Sequence, residues 1–334
     1  MHNFKAAIAG CGAIAPLHAE AIKKLGIPIA AVCDPDRSKA AAYPYPAYPD
    51  YETMIKNGGF DVMHICLPHH LHGPAAICAM EHGIHVLCEK PMAIHISDAE
   101  AMIKTAECNH VSLGIIFQNR YNSGSVMIKK ALANGSLGKV QSGWLQVTWF
   151  RDEKYYTESG WRGKWATEGG GVLINQSIHT FDLANYFLGG QPDYVEASIA
   201  NRAHPTIEVE DVAEGVIAYG DVKLSFYVNT IHPYNAPVML ELICEKGKAT
   251  LVGDAAQIEY NDGRLETATP ESDTTLPAGT KSYWGASHAL QIQAFYRSLS
   301  RGQKPEIDGQ EAIKTQRLIC GIYESAKIGK RIDF

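Results

Sequence analysis

The sequence predicts an α/β protein in two parts: an N-terminal doubly wound parallel sheet, then an α+β domain with a mostly antiparallel sheet. Three observations predict it. Short apolar runs alternate with helix-patterned segments through residue 121, the pattern of βαβ units. The first run ends in Gly10-Cys11-Gly12-Ala13-Ile14-Ala15, a glycine turn between strand and helix. Beyond residue 122 the apolar runs lengthen and alternate, and all five tryptophans (144, 149, 161, 165 and 284) fall there, as suits half-buried antiparallel strands.

In chain order, residues 4–10 read as a buried strand and 15–25 as a helix. Further strands are predicted at 28–33, 61–67, 84–88 and 112–117. Helical spacing marks 74–81 and 97–107, and Ser97 with Glu100 fits a capping box. The texture changes near residue 122, giving expected domains 1–121 and 122–334. Alternating runs at 140–150, 194–200, 212–219, 222–230 and 238–245 predict strands, with hairpin-like links such as Tyr219-Gly220-Asp221. Residues 261–281, polar and rich in Gly, Pro and Thr, read as a loop or hairpin tip. Residues 287–300 place Leu290, Phe295 and Leu299 at helical spacing, and a last helix opens at Asp308 with Glu311 three residues on.

Composition narrows the function classes. The chain has 334 residues, 46% hydrophobic and 20% charged, an ordinary globular mixture that excludes disorder, collagen and coiled coil. Its 30 Lys+Arg against 36 Asp+Glu give a net charge of −6 without a basic run, so no nucleic-acid partner is expected. No apolar window reaches the roughly 18 residues of a membrane span. The small apolar residues 6–17 lack the basic stretch of a signal peptide. Eight cysteines form no CxxC pair, which reads as buried reduced thiols in a cytoplasmic protein.

The turn at residues 10–15 has a specific physics. Gly10 permits a tight turn, Gly12 lets backbone approach a pyrophosphate, and Ala15 is small enough for close helix–strand packing. The helix that follows offers N–H groups and a positive dipole end to phosphates. Asp34 lies at the end of the second strand, 24 residues past Gly10, where a carboxylate accepts from an adenosine ribose and repels a 2′-phosphate. NAD is therefore favoured, with NADP possible because Arg37 is at hand to clasp a phosphate.

Two further strand ends carry polar residues where ligands of open α/β sheets bind: Leu67-Pro68-His69-His70-Leu71-His72 and Cys88-Glu89-Lys90-Pro91. Later, Gly169-Gly170-Gly171 leads through Asn175 to Ile178-His179-Thr180-Phe181-Asp182. Asn175, His179 and Asp182 are spaced i, i+4, i+7, one face of an α-helix. This ordered set resembles the glucose–fructose oxidoreductase, inositol dehydrogenase and rhizopine-catabolism (Gfo/Idh/MocA) family over nearly the whole chain. The resemblance implies an N-terminal Rossmann domain and a C-terminal α+β domain with a large open sheet. It also implies nicotinamide-dependent oxidation or reduction of sugars, cyclitols or their derivatives, and homodimers or homotetramers formed through that sheet.

The resemblance places Lys90 and His179 in the catalytic role, His179 as acid/base and Lys90 holding the reacting oxygen. Gly10, Cys11, Gly12, Ala13, Ile14, Ala15, Asp34, Leu67, Pro68, His69, His72, Glu89, Lys90 and Gln118 are the expected cofactor residues. His72 reads as either a cofactor-edge or a loop-fixing residue. Asn175 departs from the Asp that many relatives carry; an amide takes no proton, so it is expected to bond a substrate hydroxyl. Arg120 and Tyr121 either contact substrate or join the domains. Trp161-Arg162-Gly163-Lys164-Trp165 is either a lid that binds an anionic or sugar substrate or a packed loop. Neighbouring histidines at a strand end need not converge, and no metal is expected. A cofactor-binding sensor, and an enzyme using NAD transiently for elimination or glycoside cleavage, stay open as alternatives.

Overall fold

The fold is taken from a computed structural model that describes residues 4–269 and 287–334. These fall into two compact units: 4–118 with 287–313, and 119–269 with 314–334. The second expected segment, 122–334, is thus interrupted, because residues 287–313 group with the first unit.

The first unit is built on six strands: β1 (Ala6–Ala9), β2 (Ile29–Cys33), β3 (Ala47–Tyr48), β4 (Val62–Ile65), β5 (His85–Cys88) and β6 (Leu113–Ile115). All pairs are parallel, in the order β3-β2-β1-β4-β5-β6, the doubly wound arrangement. β1 lies centrally, with Ile8 opposite Val32 on one side and His64 on the other. Its four residues are fully buried, three of them alanines, which lets the flanking layers approach closely. Helix α1 (Ala15–Lys24) supplies Ala15, Ala19 and Ile22 to the cluster that holds Ile8 and Val32. Helices α2 (Arg37–Ala41) and α3 (Tyr51–Asn57) are capped by Asp36 and Asp50, which accept from Ser38 N and Thr53 N.

Helix α4 (His72–Glu81) precedes β5 and α5 (Ile96–Cys108) follows it. The predicted Ser97/Glu100 capping box does not form: α5 starts at Ile96 with His95 as its uncapped N-cap, so Ser97 is already inside the first turn. A late helix, α9 (Ser287–Ser300), returns to this unit. Its Gln291 takes Phe117 N at 2.9 Å and gives its amide to Ile115 O at 2.7 Å. A side-chain amide thus pairs the open edge of β6, which an uncovered strand leaves unsatisfied. Phe295 lies across Gly114, where a Cβ would come within 2.8 Å of the ring. The Asp308 cap of α10 (Gly309–Ile328) forms as read, accepting from Glu311 N at 2.9 Å.

In the second unit, α6 (Ser123–Ala133), β7 (Val140–Thr148) and the short α7 (Glu153–Thr157) lead to a π-helical turn at Leu173–Ser177 and then α8 (Ile178–Leu188). The remaining strands are β8 (Tyr194–Ala200), β9 (Val212–Tyr219), β10 (Val222–Asn229), β11 (Met239–Cys244), β12 (Gly247–Val252), β13 (Ala255–Tyr260), β14 (Leu265–Ala268) and β15 (Ile332–Asp333). They form one nine-stranded sheet, β14-β13-β12-β11-β7-β10-β9-β8-β15, antiparallel except for β7 beside β10. Alternate residues Leu145, Val147, Leu224, Phe226, Leu240 and Leu242 are buried, and Phe181 of α8 meets Phe226 edge-on at 5.2 Å. Of the two readings of 261–281, the start is a hairpin: Leu265–Ala268 pairs antiparallel with β13 across a turn at 261–264. Residues 270–281 lie outside the described ones.

Candidate active site

The nucleotide turn of the first unit follows from β1. Gly10 N bonds Cys33 O at 2.8 Å, and Gly10 has φ +92°, where a Cβ would come within 2.5 Å of Cys66 O; glycine alone fits. Around Gly12 a Cβ would meet nothing within 4 Å, so the backbone faces open space. Ile14 at the N-cap of α1 makes no side-chain capping bond, Ala15 N and Leu17 N bond Gly12 O and Ile14 O, and Pro16 has no N–H, so what the helix end offers a phosphate is its positive dipole end. Asp34 takes Cys11 N at 2.9 Å on one oxygen and Asp36 N at 2.8 Å on the other. That fixes its carboxylate at the tip of β2 and ties it to the turn. Open backbone, uncapped helix end and oriented carboxylate together fit a dinucleotide.

Leu67, Pro68 and His69 follow β4, and His72 opens α4. His72 is buried between two carbonyls, Nδ1 at 2.7 Å from Pro91 O and Nε2 at 2.8 Å from Leu67 O. It pins the two ligand-facing strand ends together, which is the loop-fixing role. His69 is buried with its ring 5.8 Å from that of His72. Lys90 is half-buried just past β5, and Gln118, at the end of the run after β6, is buried.

Glu89 ends a buried chain that the sequence reading did not see. Its Oε1 lies 3.0 Å from His18 Nε2 and 3.2 Å from His288 Nε2. His18 Nδ1 is 2.8 Å from His64 Nδ1, and His64 Nε2 is 2.8 Å from the Tyr296 hydroxyl. A carboxylate only accepts, so His18 Nε2 carries a proton; neutral His18 then accepts at Nδ1, His64 donates there, and Tyr296 donates to His64 Nε2. The chain runs one way from Tyr296 to Glu89 with every imidazole neutral. Burial pushes His18 and His64 below their ordinary values, in keeping with that assignment. Burial alone would raise Glu89, but the His18 and His288 donors hold it well below the usual carboxylate range. His18, Glu89 and His288 also bring possible ligand atoms within 4.8 Å of one another. A divalent ion there would displace both Nε2 protons, and His288 Nδ1 has no partner to orient the ring. A histidine inside the buried run Val62–Ile65 was the available signal for this chain. A separate cavity of about 470 Å³ lies near the start of β5 and β6, lined in part by His85, Ser112 and Lys304; none of the expected site residues lines it.

In the second unit the glycine-rich segment is held from beneath by Glu210. Its carboxylate takes Gly171 N at 2.9 Å, Leu173 N at 3.0 Å and the Tyr323 hydroxyl at 2.9 Å. A Cβ on Gly171 would lie 1.9 Å from Glu210 O, so the close approach requires glycine. Burial pushes the Glu210 carboxyl up to about 7. The π turn that follows is marked by Ser177 N bonding Val172 O at 2.9 Å. The predicted common face of Asn175, His179 and Asp182 is corrected: the pair that spans this turn stays partly exposed, and it is Asp182, one turn further on within α8, that is buried. Between Gly171 and Thr180 only Asn175 and His179 escape burial. Asp182 turns inward and pairs with Arg120, Nε to Oδ2 and Nη2 to Oδ1, both 2.7 Å. The Arg120 guanidinium is therefore held in a buried ion pair.

Asn175 Nδ2 donates to Glu168 Oε1 at 2.6 Å and to the Tyr155 hydroxyl at 3.2 Å, and Gln176 Nε2 donates to the same hydroxyl at 3.1 Å. Glu168 is fully buried and its other oxygen takes Gly163 N. The Trp161–Trp165 segment is packed rather than loose: Thr167 Oγ1 bonds Trp161 O, and Trp165 Nε1 bonds Glu208 O at 3.0 Å. Arg162 rises from it with its guanidinium 4.4 Å from the Tyr155 ring and 4.7 Å from that of Trp161. Tyr121 is half-buried at the end of the Gln118–Tyr121 turn. Glu168, Glu210 and Tyr155 had no signal in the sequence, because isolated acids and tyrosines declare no partner.

Comparison with known proteins agrees with this geometry. Residues 4–117 match the model of an oxidoreductase family with an NAD-binding Rossmann fold, and residues 126–250 match the GFO/IDH/MocA C-terminal domain. The chain is 28% identical to a D-apiose dehydrogenase of Rhizobium rhizogenes, across 100% of this chain and 98% of the relative. It is 24% identical to a myo-inositol 2-dehydrogenase of Thermotoga maritima, across 91% and 90%. Among solved structures it resembles the WlbA dehydrogenase of Bordetella pertussis in complex with NADH and UDP-GlcNAcA, with TM-score 0.88, 29% identity and coverage of 99% and 98%. The open glycine turn with its aspartate and the anchored, histidine-bearing segment are thus the two parts of a known design, and the chain belongs to the Gfo/Idh/MocA family of nicotinamide-dependent oxidoreductases.

Proposed function

We propose that this oxidoreductase moves a hydride between its nicotinamide cofactor and a hydroxyl or carbonyl carbon of a sugar, cyclitol or sugar derivative. One observation carries the substrate half of this reading. Of residues 171–180, only Asn175 and His179 reach solvent, on a segment held rigidly by Glu210 and Glu168. A preorganised amide and imidazole suit a polyhydroxylated ligand and its proton. The family membership and the sugar and inositol dehydrogenases among the relatives support the same substrate class.

The residues take the following roles. The Gly10–Ala15 turn and the α1 N-terminus hold the diphosphate, and Asp34 the adenosine ribose, so NAD is preferred over NADP. Leu67, Pro68, His69, Glu89 and Gln118 shape the rest of the cofactor's bed. The nicotinamide supplies the hydride chemistry; the polypeptide supplies binding, orientation and proton handling. Lys90 holds the reacting oxygen and stabilises negative charge on it. His179 takes or returns the hydroxyl proton. Asn175, Tyr121 and Arg162 contact the substrate. The N-terminal domain serves the cofactor; the second serves the substrate and joins subunits through the outer face of its sheet, where Tyr227, Ile243 and Val252 are exposed. Light scattering that finds a monomer would remove the last statement. All eight cysteines are unpaired, as suits the cytoplasm; a tagged copy found in an oxidising compartment would contradict that.

The test is NADH formation across a panel of sugars, sugar derivatives and cyclitols, with NAD and NADP titrated in parallel. Lys90→Met and His179→Ala are each expected to lower kcat/KM about 10²–10⁴-fold while NADH still binds. Full turnover in both variants would overturn the assignment. Tight cofactor binding without any net NADH formation would overturn the dehydrogenase reading itself.

A further inference from the structure

Arg162 presents a guanidinium that no acid among the described residues pairs with. Its Nε is buried without a hydrogen-bond partner, and among the described residues its side chain makes no ion pair. Two aromatic rings, Tyr155 at 4.4 Å and Trp161 at 4.7 Å, hold it in place. Arg151 lies 5.1 Å from the same Tyr155 ring and 5.0 Å from Trp149, with its Nη1 bonded to Phe150 O and Asn235 Oδ1. Two cations thus flank one ring. Four acids of the neighbouring segments are engaged with other groups, and Glu158 is exposed and makes no ion pair with Arg162. Glu168 takes Gly163 N and Asn175 Nδ2, Asp152 caps α7 through Tyr155 N, Glu153 takes the Thr206 hydroxyl, and Glu208 takes Trp165 N.

A partly desolvated cation costs free energy unless an anion answers it. A guanidinium fixed by flat rings has its remaining N–H edge preorganised for two parallel bonds, the geometry of a carboxylate. This edge belongs to the segment proposed above for the substrate: the ring stacked on Arg162 is that of Tyr155, whose hydroxyl accepts from both Asn175 and Gln176. Asn175 lies one turn before His179.

We propose that Arg162 is a carboxylate-binding residue, and that the substrate is an acidic sugar or cyclitol derivative such as a uronate or aldonate. The inference rests on the reading of Asn175 and His179 as the substrate segment. It deepens that reading by fixing the charge of the ligand. A sugar phosphate offers related oxyanion chemistry, and the experiment separates the two.

The experiment compares kcat/KM for matched sets: a neutral sugar, its uronate or aldonate, and its phosphate ester. The wild-type enzyme is expected to favour the carboxylate at least about tenfold, equivalent to about 1.4 kcal/mol. Arg162→Met should collapse the carboxylate-to-neutral ratio about tenfold, through KM more than kcat, and Arg162→Lys should restore part of it. Because the readout is a ratio within each protein, a general loss of folded enzyme cancels. A ratio unchanged in Arg162→Met, a preference for the neutral sugar, or a preference for the phosphate overturns the proposal. No NADH from any of the three by the wild-type enzyme, with cofactor still bound, overturns the dehydrogenase reading instead.

Discussion

Replacing Asp182 by Asn tests whether Arg120 is structural. The pair is forked, with two bonds of 2.7 Å, and its side chains are 5% and 1% exposed. Thr315 Oγ1 adds a third donor to Asp182 Oδ1 at 3.0 Å, and the Tyr186 ring lies 4.7 Å from the guanidinium. Asn keeps the shape but loses the charge, and its NH2 group faces N–H donors. Removing one member of such a buried pair costs about 3–5 kcal/mol, because the other stays buried and uncompensated. In a unit of this size each kcal/mol shifts the midpoint by roughly 2–4 °C, so Tm should fall by roughly 6–20 °C.

Differential scanning calorimetry of Asp182→Asn reads this directly. The double variant Arg120→Met/Asp182→Leu should recover most of the loss, since a buried ion pair can be exchanged for apolar groups of similar volume at little cost. A fall below about 2 °C together with a raised KM would refute the argument and return Arg120 to the substrate. A double variant no more stable than Asp182→Asn would show that charge burial is not the cause.

Three further outcomes follow from the buried polar groups. Glu210 has its folded value raised from 4.5 to about 7, so its contribution is fully present below 4.5 and is lost as pH rises through 7. The shift is worth roughly 3 kcal/mol, and urea unfolding at pH 5 and pH 8 should show wild type losing stability relative to Glu210→Gln by about that much; parallel curves would contradict it. Tyr296→Phe strands the buried His64 Nε2 and should cost about 1–3 kcal/mol in chemical denaturation, whereas a change under about 0.5 kcal/mol would break the directional chain to Glu89. Asn175→Asp sets a second carboxylate at the 2.6 Å contact with Glu168. One of the two must then hold a proton, so the variant should lose stability against wild type as pH rises, and equal Tm differences at pH 5 and pH 8 would exclude the contact.

The parallel sheet was legible because β1, β2, β4, β5 and β6 are short apolar runs broken by turns, and because a turn at Gly10 that tolerates only glycine writes itself into the sequence. Asp34 was legible for the same local reason. The buried pair of Arg120 was hidden because its partner is 62 residues away and no local spacing reports a distant ion pair. The shared face of Asn175, His179 and Asp182 followed from helical spacing alone, which does not report that Asp182 is drawn into a buried pair with Arg120. The return of α9 to the first unit was hidden because an amphipathic helix records that it packs, not on what. Ser97 and Glu100 show the converse error, a capping pattern one turn inside a helix that starts at Ile96.

The amide at position 175 then has a physical explanation. Many relatives by resemblance carry an acid there, which raised the question of a weakened proton relay. In this chain the corner already holds a buried carboxyl group, that of Glu168, 2.6 Å from the Asn175 amide and anchored by Gly163 N. Two carboxyls at that distance would contend for one proton, while an amide donates to one without repulsion. Residue 175 therefore spans a buried acid beneath it and the partly exposed face shared with His179. The acid thus sits beneath residue 175 rather than at it, and under the proposed function the proton passes through His179.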